Sequence, residues 1–137
     1  MNQRVIQPPG WPRPLGYSNG IAAIGPTLFI AGQIGWDATT GRLAEGLPAQ
    51  VEQALRNIVA ILSEAGAAPT SIARMTWFVT DMEQYRNSGK AIGQGYRSVI
   101  GKHFPTMSVI GVASLVERDA LVEIEATAVL DRVPSDA

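Results

Sequence analysis

The sequence predicts an α+β fold in which two helices pack on one face of a sheet of about six strands. Three observations lead to this prediction. Strand-like and helix-like segments follow the order β-β-(β)-α-β-α-β-β, one long segment repeats its apolar residues at helical spacing, and the last strand alternates apolar and polar side chains. Helices that connect strands in this way can pack together against the apolar side of the sheet.

The chain is predicted to begin with an extended arm ahead of the sheet. Residues 1–14 are rich in proline, which fixes φ and removes backbone donors. A single domain is expected over residues 15–131, followed by a polar tail at 132–137. Residues 16–35 indicate two short strands, and the Gly-Pro pair at 25–26 favours a hairpin between them.

The first helix is the clearest element and is predicted over residues 48–67. Its apolar residues are spaced so that they share one helical face: Val51, Leu55, Ile58, Leu62 and Ala65. Pro48 suits the first turn of this helix, and Gly66 suits its end.

A second helix is predicted over residues 82–100. Four of its side chains share a face: Tyr85, Ile92, Tyr96 and Val99. Three glycines lie inside it: Gly89, Gly93 and Gly95. Because each costs about 1 kcal/mol relative to alanine, we expect close backbone packing on the sheet or a neighbouring element to offset them.

Further strands are predicted over residues 71–81, 105–115 and 121–130. In the last of these, one face is apolar, while Glu123 and Glu125 project together from the other. Two carboxylates on one face can act as a base and its orienting partner. They can also be solvated or form salt bridges across a subunit interface, and spacing alone favours this second interpretation.

The composition excludes several classes of function. The chain has no cysteines, which excludes disulfides, thiolate metal sites and cysteine nucleophiles. A net charge of −1 provides no long-range attraction to nucleic acid or to an anionic membrane. No apolar run suits a signal peptide or a membrane span, so a cytoplasmic protein is expected. Charged residues make up 17% of the chain, against roughly a quarter in an ordinary domain, which suggests surface buried in an oligomer.

Several single residues have competing structural explanations. His103 is expected to be packed or on the surface, because no second histidine or spaced carboxylate cluster accompanies it for a metal. Trp77 on a central strand is expected in the core, whereas Trp36 in a loop is the better ligand candidate. Gly32 either lets backbone amides approach a ligand or marks a β-bulge. No G-x-S-x-G elbow, dinucleotide-binding glycine motif or P-loop occurs in the sequence.

Several segments together resemble the RidA/YjgF family of small imine and enamine deaminases, formerly the endoribonuclease L-PSP family. From about residue 15 to 130, these segments are GYSNG, FIAGQIGWD, QVEQALRNIVAILSEAGA, MTWFVTDM, HFPTMSVIGVASL and VEIEATAV. The resemblance implies a chorismate-mutase-like fold and a homotrimer with three pockets between subunits. It also implies hydrolysis of reactive imines to a keto acid and ammonia, without a metal or an organic cofactor.

The resemblance also assigns roles to individual positions. Three positions match the family: Tyr17 as a pocket-lining tyrosine, Gly32 as a glycine whose backbone faces the ligand, and Glu123 as the glutamate that positions the attacking water. Three positions depart from the usual residues: Ala31 stands in place of serine, Gly93 in place of asparagine and Met107 in place of arginine.

The predicted function is hydrolytic deamination of a small imine or enamine. An arginine at position 107 would bind a substrate carboxylate through its planar guanidinium, whereas Met107 offers no donor. An apolar or aromatic substrate is therefore predicted rather than a simple amino-acid derivative. Three nearby cations are candidates to replace the arginine: His103, Lys102 and Arg97. The predicted binding set is completed by Trp36, Ser108 and Val109.

Two alternative functions remain open from the sequence. The first is a trimeric small-molecule-binding protein without turnover, which the loss of the arginine favours. The second, a ribonuclease or translation inhibitor, ranks last because the sequence has neither a basic patch nor interleaved basic and aromatic residues.

Overall fold

The computed structural model describes residues 2–135 and confirms the α+β fold. Its strands are β1 (Gln3–Ile6), β2 (Gly20–Ala23), β3 (Thr27–Ile34), β4 (Ile72–Val79), β5 (Thr106–Gly111) and β6 (Val122–Val129). Its helices are α1 (Leu47–Glu64), α2 (Met82–Asn87) and α3 (Gly89–Val99). Residues 136 and 137 of the predicted tail lie outside the described residues.

The strands are divided between a main sheet and a small ribbon. Four strands form the main sheet in the order β3-β6-β4-β5, in which β4 and β5 are parallel and the other pairs are antiparallel. The other two, β1 and β2, form a separate antiparallel ribbon. Parallel neighbours require a crossover connection, and α2 and α3 make the crossover from β4 to β5.

The hairpin predicted over residues 16–35 is wrong. Strand β2 pairs with β1, which lies in the predicted arm, and β3 pairs with β6. The Gly-Pro pair takes part in the pairing of β3 with β6 instead of forming a hairpin turn. The Pro26 carbonyl accepts a hydrogen bond from the Leu130 N–H at 2.8 Å. Gly25 has a φ of 145°, and the Leu130 carbonyl oxygen stands where its Cβ would be.

Helix α1 forms the centre of the core, as its apolar spacing predicts. Four side chains of the predicted face are fully buried: Val51, Leu55, Ile58 and Leu62. Pro48 lies in the first turn. Gly66, just beyond the end of the helix, adopts a φ of 72°, the left-handed conformation that terminates helices.

The second predicted helix is interrupted at Ser88, which separates α2 from α3. The side chain of Asp81 caps α2 by accepting a hydrogen bond from a first-turn N–H at 3.0 Å. Close packing against a neighbouring element does not explain Gly89 or Gly95. A Cβ at Gly95 would make an ordinary contact of 3.5 Å with Glu52 of α1, and one at Gly89 would meet no atom within 4 Å.

The main sheet has one covered face and one open face. The covered face packs against α1 and α3, and the alternate residues of β6 that lie on it are all buried: Val122, Ile124, Ala126 and Ala128. The open face carries Glu123 and Glu125, as the alternation predicts. It also leaves Phe29 80% and Ile110 44% exposed. Within residues 2–135, no helix combines the length and the apolar character needed to cross a membrane.

Candidate functional site

A cleft of about 430 Å³ lies between the edge strand β5, helices α2 and α3, and the loop that precedes β2. It is called the aromatic cleft below. Four of the predicted pocket residues line it: Tyr17, Gly93, Met107 and Val109. Tyr17 reaches the cleft because its neighbour Ser18 donates its backbone N–H to the Pro105 carbonyl at 3.1 Å, which ties the loop to the start of β5.

Aromatic rings that sequence reasoning did not assign to the pocket form much of the cleft wall. The ring centroid of Trp77 lies 6.3 Å from that of Tyr85 and 6.4 Å from that of Tyr96. Tyr96 in turn stacks on Phe104 at 6.1 Å. Trp77 is 2% exposed, which confirms its predicted place in the core, although it also lines the cleft. The cleft therefore offers flat apolar surfaces to a ligand.

The two tyrosines of this wall remain protonated near neutral pH. Burial raises the pKa of Tyr96 and of Tyr85, because the low-dielectric surroundings disfavour the phenolate. The Tyr96 hydroxyl donates a hydrogen bond to the His103 carbonyl at 2.7 Å, which joins α3 to the segment that leads into β5. The Tyr96 hydroxyl therefore supports the wall, and neither hydroxyl acts as a base near neutral pH.

Of the three cations that could replace the missing arginine, the structure brings only Arg97 to the cleft. The Nε2 of His103 hydrogen-bonds a carbonyl at the start of β4 at 2.7 Å, so this residue is packed, as predicted. Lys102 is exposed and lies outside the cleft lining. Arg86 lines the cleft as well, but its guanidinium pairs with Glu83 at 3.0 Å.

The predicted catalytic glutamate lies elsewhere, over a bulge in β3. The register between β3 and β6 shifts between Ile30 and Gln33, so Ala31 and Gly32 form the bulge. A Cβ on Gly32 would collide with Oε2 of Glu123 and would lie 2.7 Å from its Cδ. The missing side chain of Gly32 therefore leaves the space that the Glu123 carboxylate occupies.

The Glu123 carboxylate is half-buried and has apolar flanks. Its neighbours across the sheet are Ile34 and Phe78. Among residues 2–135, no hydrogen-bond donor or cationic group pairs with its oxygens. A carboxylate held in this way can accept a hydrogen bond and a proton from a water molecule.

The predicted site residues form two groups on opposite faces of the main sheet. Met107 and Val109 belong to the covered face, since they pair with buried residues of β4. Glu123 and Ser108 belong to the open face. Trp36 lies apart from both, in a loop cavity between the end of β3 and the segment before β6. One chain alone therefore does not bring Glu123 into the aromatic cleft.

The cleft wall has a partial signature in the sequence. Tyr85 and Tyr96 were predicted to share a helical face, and Phe104 stands beside the proline that starts β5. Aromatic residues on a helix face next to an edge strand are the signal that could have indicated a ligand-binding wall.

Comparison with known proteins agrees with this architecture. The sequence profile of the family described as Endoribonuclease L-PSP matches residues 12–130. The chain belongs to this family, the RidA/YjgF family. A crystal structure of YyfB from Yersinia pestis, a Rid protein of unknown function, has a TM-score of 0.83 and 36% identity. The match covers 95% of this chain and 100% of that chain.

Two relatives represent the names found within the RidA/YjgF family. A RutC family protein of Aquifex aeolicus is 36% identical over 126 residues, which cover 92% of this chain and 98% of the relative. A 2-iminobutanoate/2-iminopropanoate deaminase of Salmonella typhimurium is 35% identical over 123 residues, which cover 81% of this chain and 92% of the relative. The family thus includes proteins named as imine deaminases.

Proposed function

We propose that this protein hydrolyses a small imine or enamine and releases ammonia, with Glu123 positioning the attacking water. The observation that carries the proposal is the unpaired Glu123 carboxylate, which stands above Gly32 between apolar neighbours. Relatives named 2-iminobutanoate/2-iminopropanoate deaminase support the class of reaction.

The chemistry that we assign to Glu123 is general-base catalysis. Its carboxylate accepts a proton from water while the water oxygen attacks the carbon of the C=N bond. Glu123 returns this proton to the nitrogen of the resulting carbinolamine. The carbinolamine hydroxyl then loses its proton, a proton is added to the nitrogen, and the C–N bond breaks as the C=O bond forms. The products are a carbonyl compound and ammonia. Backbone groups near Gly32 and Val109 would hold the polar end of the substrate, and Tyr17 would close the pocket.

We also propose that the pocket is completed between the subunits of a homotrimer. Glu123 and the aromatic cleft lie on opposite faces of one chain, so a second copy is needed to bring them together. The open face supports this arrangement, because exposed apolar side chains such as Phe29 and Ile110 are typical of interfaces. Packing of one open face against the β5 edge of the next copy would carry Glu123 to the rim of the cleft.

The proposed substrate has an apolar or aromatic body. The wall of the cleft consists largely of aromatic rings, and Met107 contributes a thioether without a hydrogen-bond donor. A small imino acid held only at position 107 would lose hydration of its carboxylate without compensation. The body of the substrate is therefore expected to supply much of the binding free energy.

The second candidate function is binding of a small molecule without turnover. The absence of a donor at Met107 favours it, because a ligand can occupy the aromatic cleft without being held for reaction. A ribonuclease remains the weakest candidate, since the net charge is −1 and nucleic-acid binding requires contacts to phosphates.

The test is imine hydrolysis with substrates generated in situ by an amino-acid oxidase. Aliphatic, aromatic and basic amino acids supply the imines, and ammonia release is followed in competition with semicarbazide. Wild-type protein is compared with Glu123→Gln and with Glu125→Gln, a matched control on the same strand and face. We expect wild type to accelerate hydrolysis, Glu123→Gln to lose about 100-fold of the acceleration, and Glu125→Gln to retain it.

Two results would overturn parts of this proposal. If Glu123→Gln accelerates hydrolysis as much as wild type does, Glu123 has no role in the reaction. A wild-type protein that accelerates no imine of the panel but binds the corresponding keto acids would favour the binding protein instead.

A further inference from the structure

We infer that Arg97, whose guanidinium lies beside Gly93, is the carboxylate-binding residue of the aromatic cleft. The cleft then takes a carboxylate with an aromatic or bulky apolar body. As a statement about the substrate, this inference rests on the proposed function, because it names the class of imine that the same site would hydrolyse. As a statement about binding, it can be tested without turnover.

The geometry of α3 places the Arg97 guanidinium over Gly93. The two residues lie one turn apart, and long side chains on a helix lean back over the preceding turn. A Cβ on Gly93 would lie 3.3 Å from Nη1 of Arg97 and 3.9 Å from its Cζ. A Cβ at position 93 would therefore press on the guanidinium and make it shift by a few tenths of an ångström.

The charges around the cleft leave Arg97 free to bind an anion. No acidic side chain contributes to the cleft lining in the part of the chain that the structure describes. Arg86 is already paired with Glu83, but within residues 2–135 no carboxylate forms a salt bridge with Arg97. Aromatic faces and the Met107 thioether do not compete for its donors. A planar guanidinium in this setting matches a carboxylate with two parallel hydrogen bonds.

The cation and the aromatic wall together define the ligand. Arg97 and the rings of Tyr96 and Phe104 line the same cleft of about 430 Å³, so a single ligand can contact all three. The ligand class is thus an anion at one end and a flat or branched apolar group at the other. A 2-imino acid with an aromatic or large aliphatic side chain meets both requirements, whereas an imine without a carboxylate leaves Arg97 unused.

The experiment compares two isosteric probes, 3-phenylpropanoate and its neutral amide, 3-phenylpropanamide, by isothermal titration calorimetry. The variants are Arg97→Gln, which removes the charge, and Arg97→Lys, which keeps the charge but not the planar fork. Gly93→Ala and Gly95→Ala form a matched pair, since both glycines lie in α3 but only Gly93 lines the cleft. A Cβ at position 93 would press on Arg97, whereas one at position 95 would make an ordinary contact of 3.5 Å with Glu52.

We expect wild type to bind the carboxylate about tenfold or more tightly than the amide. Arg97→Gln should abolish this preference without weakening amide binding, and Arg97→Lys should restore part of it. Gly93→Ala should reduce carboxylate binding slightly, whereas Gly95→Ala should leave it unchanged. Thermal unfolding of each variant checks that the fold is intact.

Three results would overturn the inference. The first is equal affinity of wild type for the two probes. The second is an unchanged affinity of Arg97→Gln for the carboxylate, and the third is an equal loss of affinity for both probes in that variant. Failure of the proposed function looks different. If no imine is hydrolysed but carboxylate binding still depends on Arg97, the deaminase proposal fails and the binding site stands. If Glu123-dependent hydrolysis occurs without any preference for the carboxylate, the deaminase proposal stands and the carboxylate site at Arg97 fails.

Discussion

The open face of the main sheet and the aromatic cleft position their functional groups by different means. On the open face the backbone does the positioning, because strand alternation and the bulge at Gly32 decide where Glu123 stands. In the cleft, side chains from distant segments meet, among them Tyr17, Arg97 and Met107. Because the backbone of two strands fixes the Glu123 carboxylate, a substitution in the adjacent bulge is expected to move it. In the aromatic cleft, by contrast, single side chains of the wall can be replaced while the others stay in place.

The largest effect on stability is expected at the floor of the cleft, where Trp77 lies, and Trp36 in its separate loop cavity provides the contrast. Trp77→Ala should lower the free energy of unfolding by about 3–5 kcal/mol, since it removes a buried indole and leaves a cavity. Trp36→Ala, at a side chain that is 45% exposed, should cost less than about 1 kcal/mol. Urea denaturation measures both values. Similar losses in the two variants would mean that the cleft floor is not part of the core.

A smaller but more selective effect is expected at the bulge. Gly32→Ala places a Cβ against Oε2 of Glu123, so the carboxylate must move away from its position. We expect ammonia release to fall about 100-fold, the scale of losing a well-placed general base, while the unfolding midpoint changes little because a flexible side chain can give way. Gly20→Ala is the control, since its Cβ would meet Ile6 at an ordinary 3.4 Å. Equal activity of the two variants would argue against a requirement for this carboxylate position.

The smallest effect is expected from Tyr96→Phe, which tests how the cleft wall is held. Loss of the hydrogen bond to the His103 carbonyl should cost about 1 kcal/mol at neutral pH. Burial raises the pKa of Tyr96 in the folded protein, so its contribution to stability is complete below the unfolded pKa of about 10 and declines as the pH rises above it.

Urea unfolding between pH 8 and pH 11.5 checks this prediction. Wild type should lose stability more steeply above pH 10 than Tyr96→Phe does, because only wild type has this hydroxyl to ionise on unfolding. Tyr85→Phe should flatten the profile in the same direction, since burial raises the pKa of Tyr85 too. Parallel pH profiles for wild type and Tyr96→Phe would contradict the assignment.

The parts of the fold that depend on local periodicity could be predicted from the sequence. The buried face of α1 follows from its three- and four-residue spacing, and the position of Glu123 follows from alternation along β6. Both patterns indicate which side of a single helix or strand is buried, and this can be predicted without knowing which elements pack against it.

The parts that depend on pairing could not be predicted in this way. Two adjacent strand-like segments joined by a Gly-Pro pair favour a hairpin, but β3 finds a longer partner in β6 and leaves β2 to β1. In the same manner, Ser108 and Met107 are neighbours in sequence but face opposite sides of the sheet, and only pairing with β4 determines which side each one faces. The approach of Arg97 to the cleft requires the packing of α3 on the sheet, which no spacing of residues reveals.

The position of β6 inside the main sheet has a consequence for the order of folding. Strand β6 lies between β3 and β4, with Thr27 opposite Val129, yet it is synthesised after the other five strands. Until it is made, β3 and β4 expose unpaired edges, and the contacts between β3 and β6 span most of the chain, which slows folding. During synthesis the sheet stays incomplete until β6 emerges, so the strand that carries Glu123 is also the one that joins the two halves of the sheet.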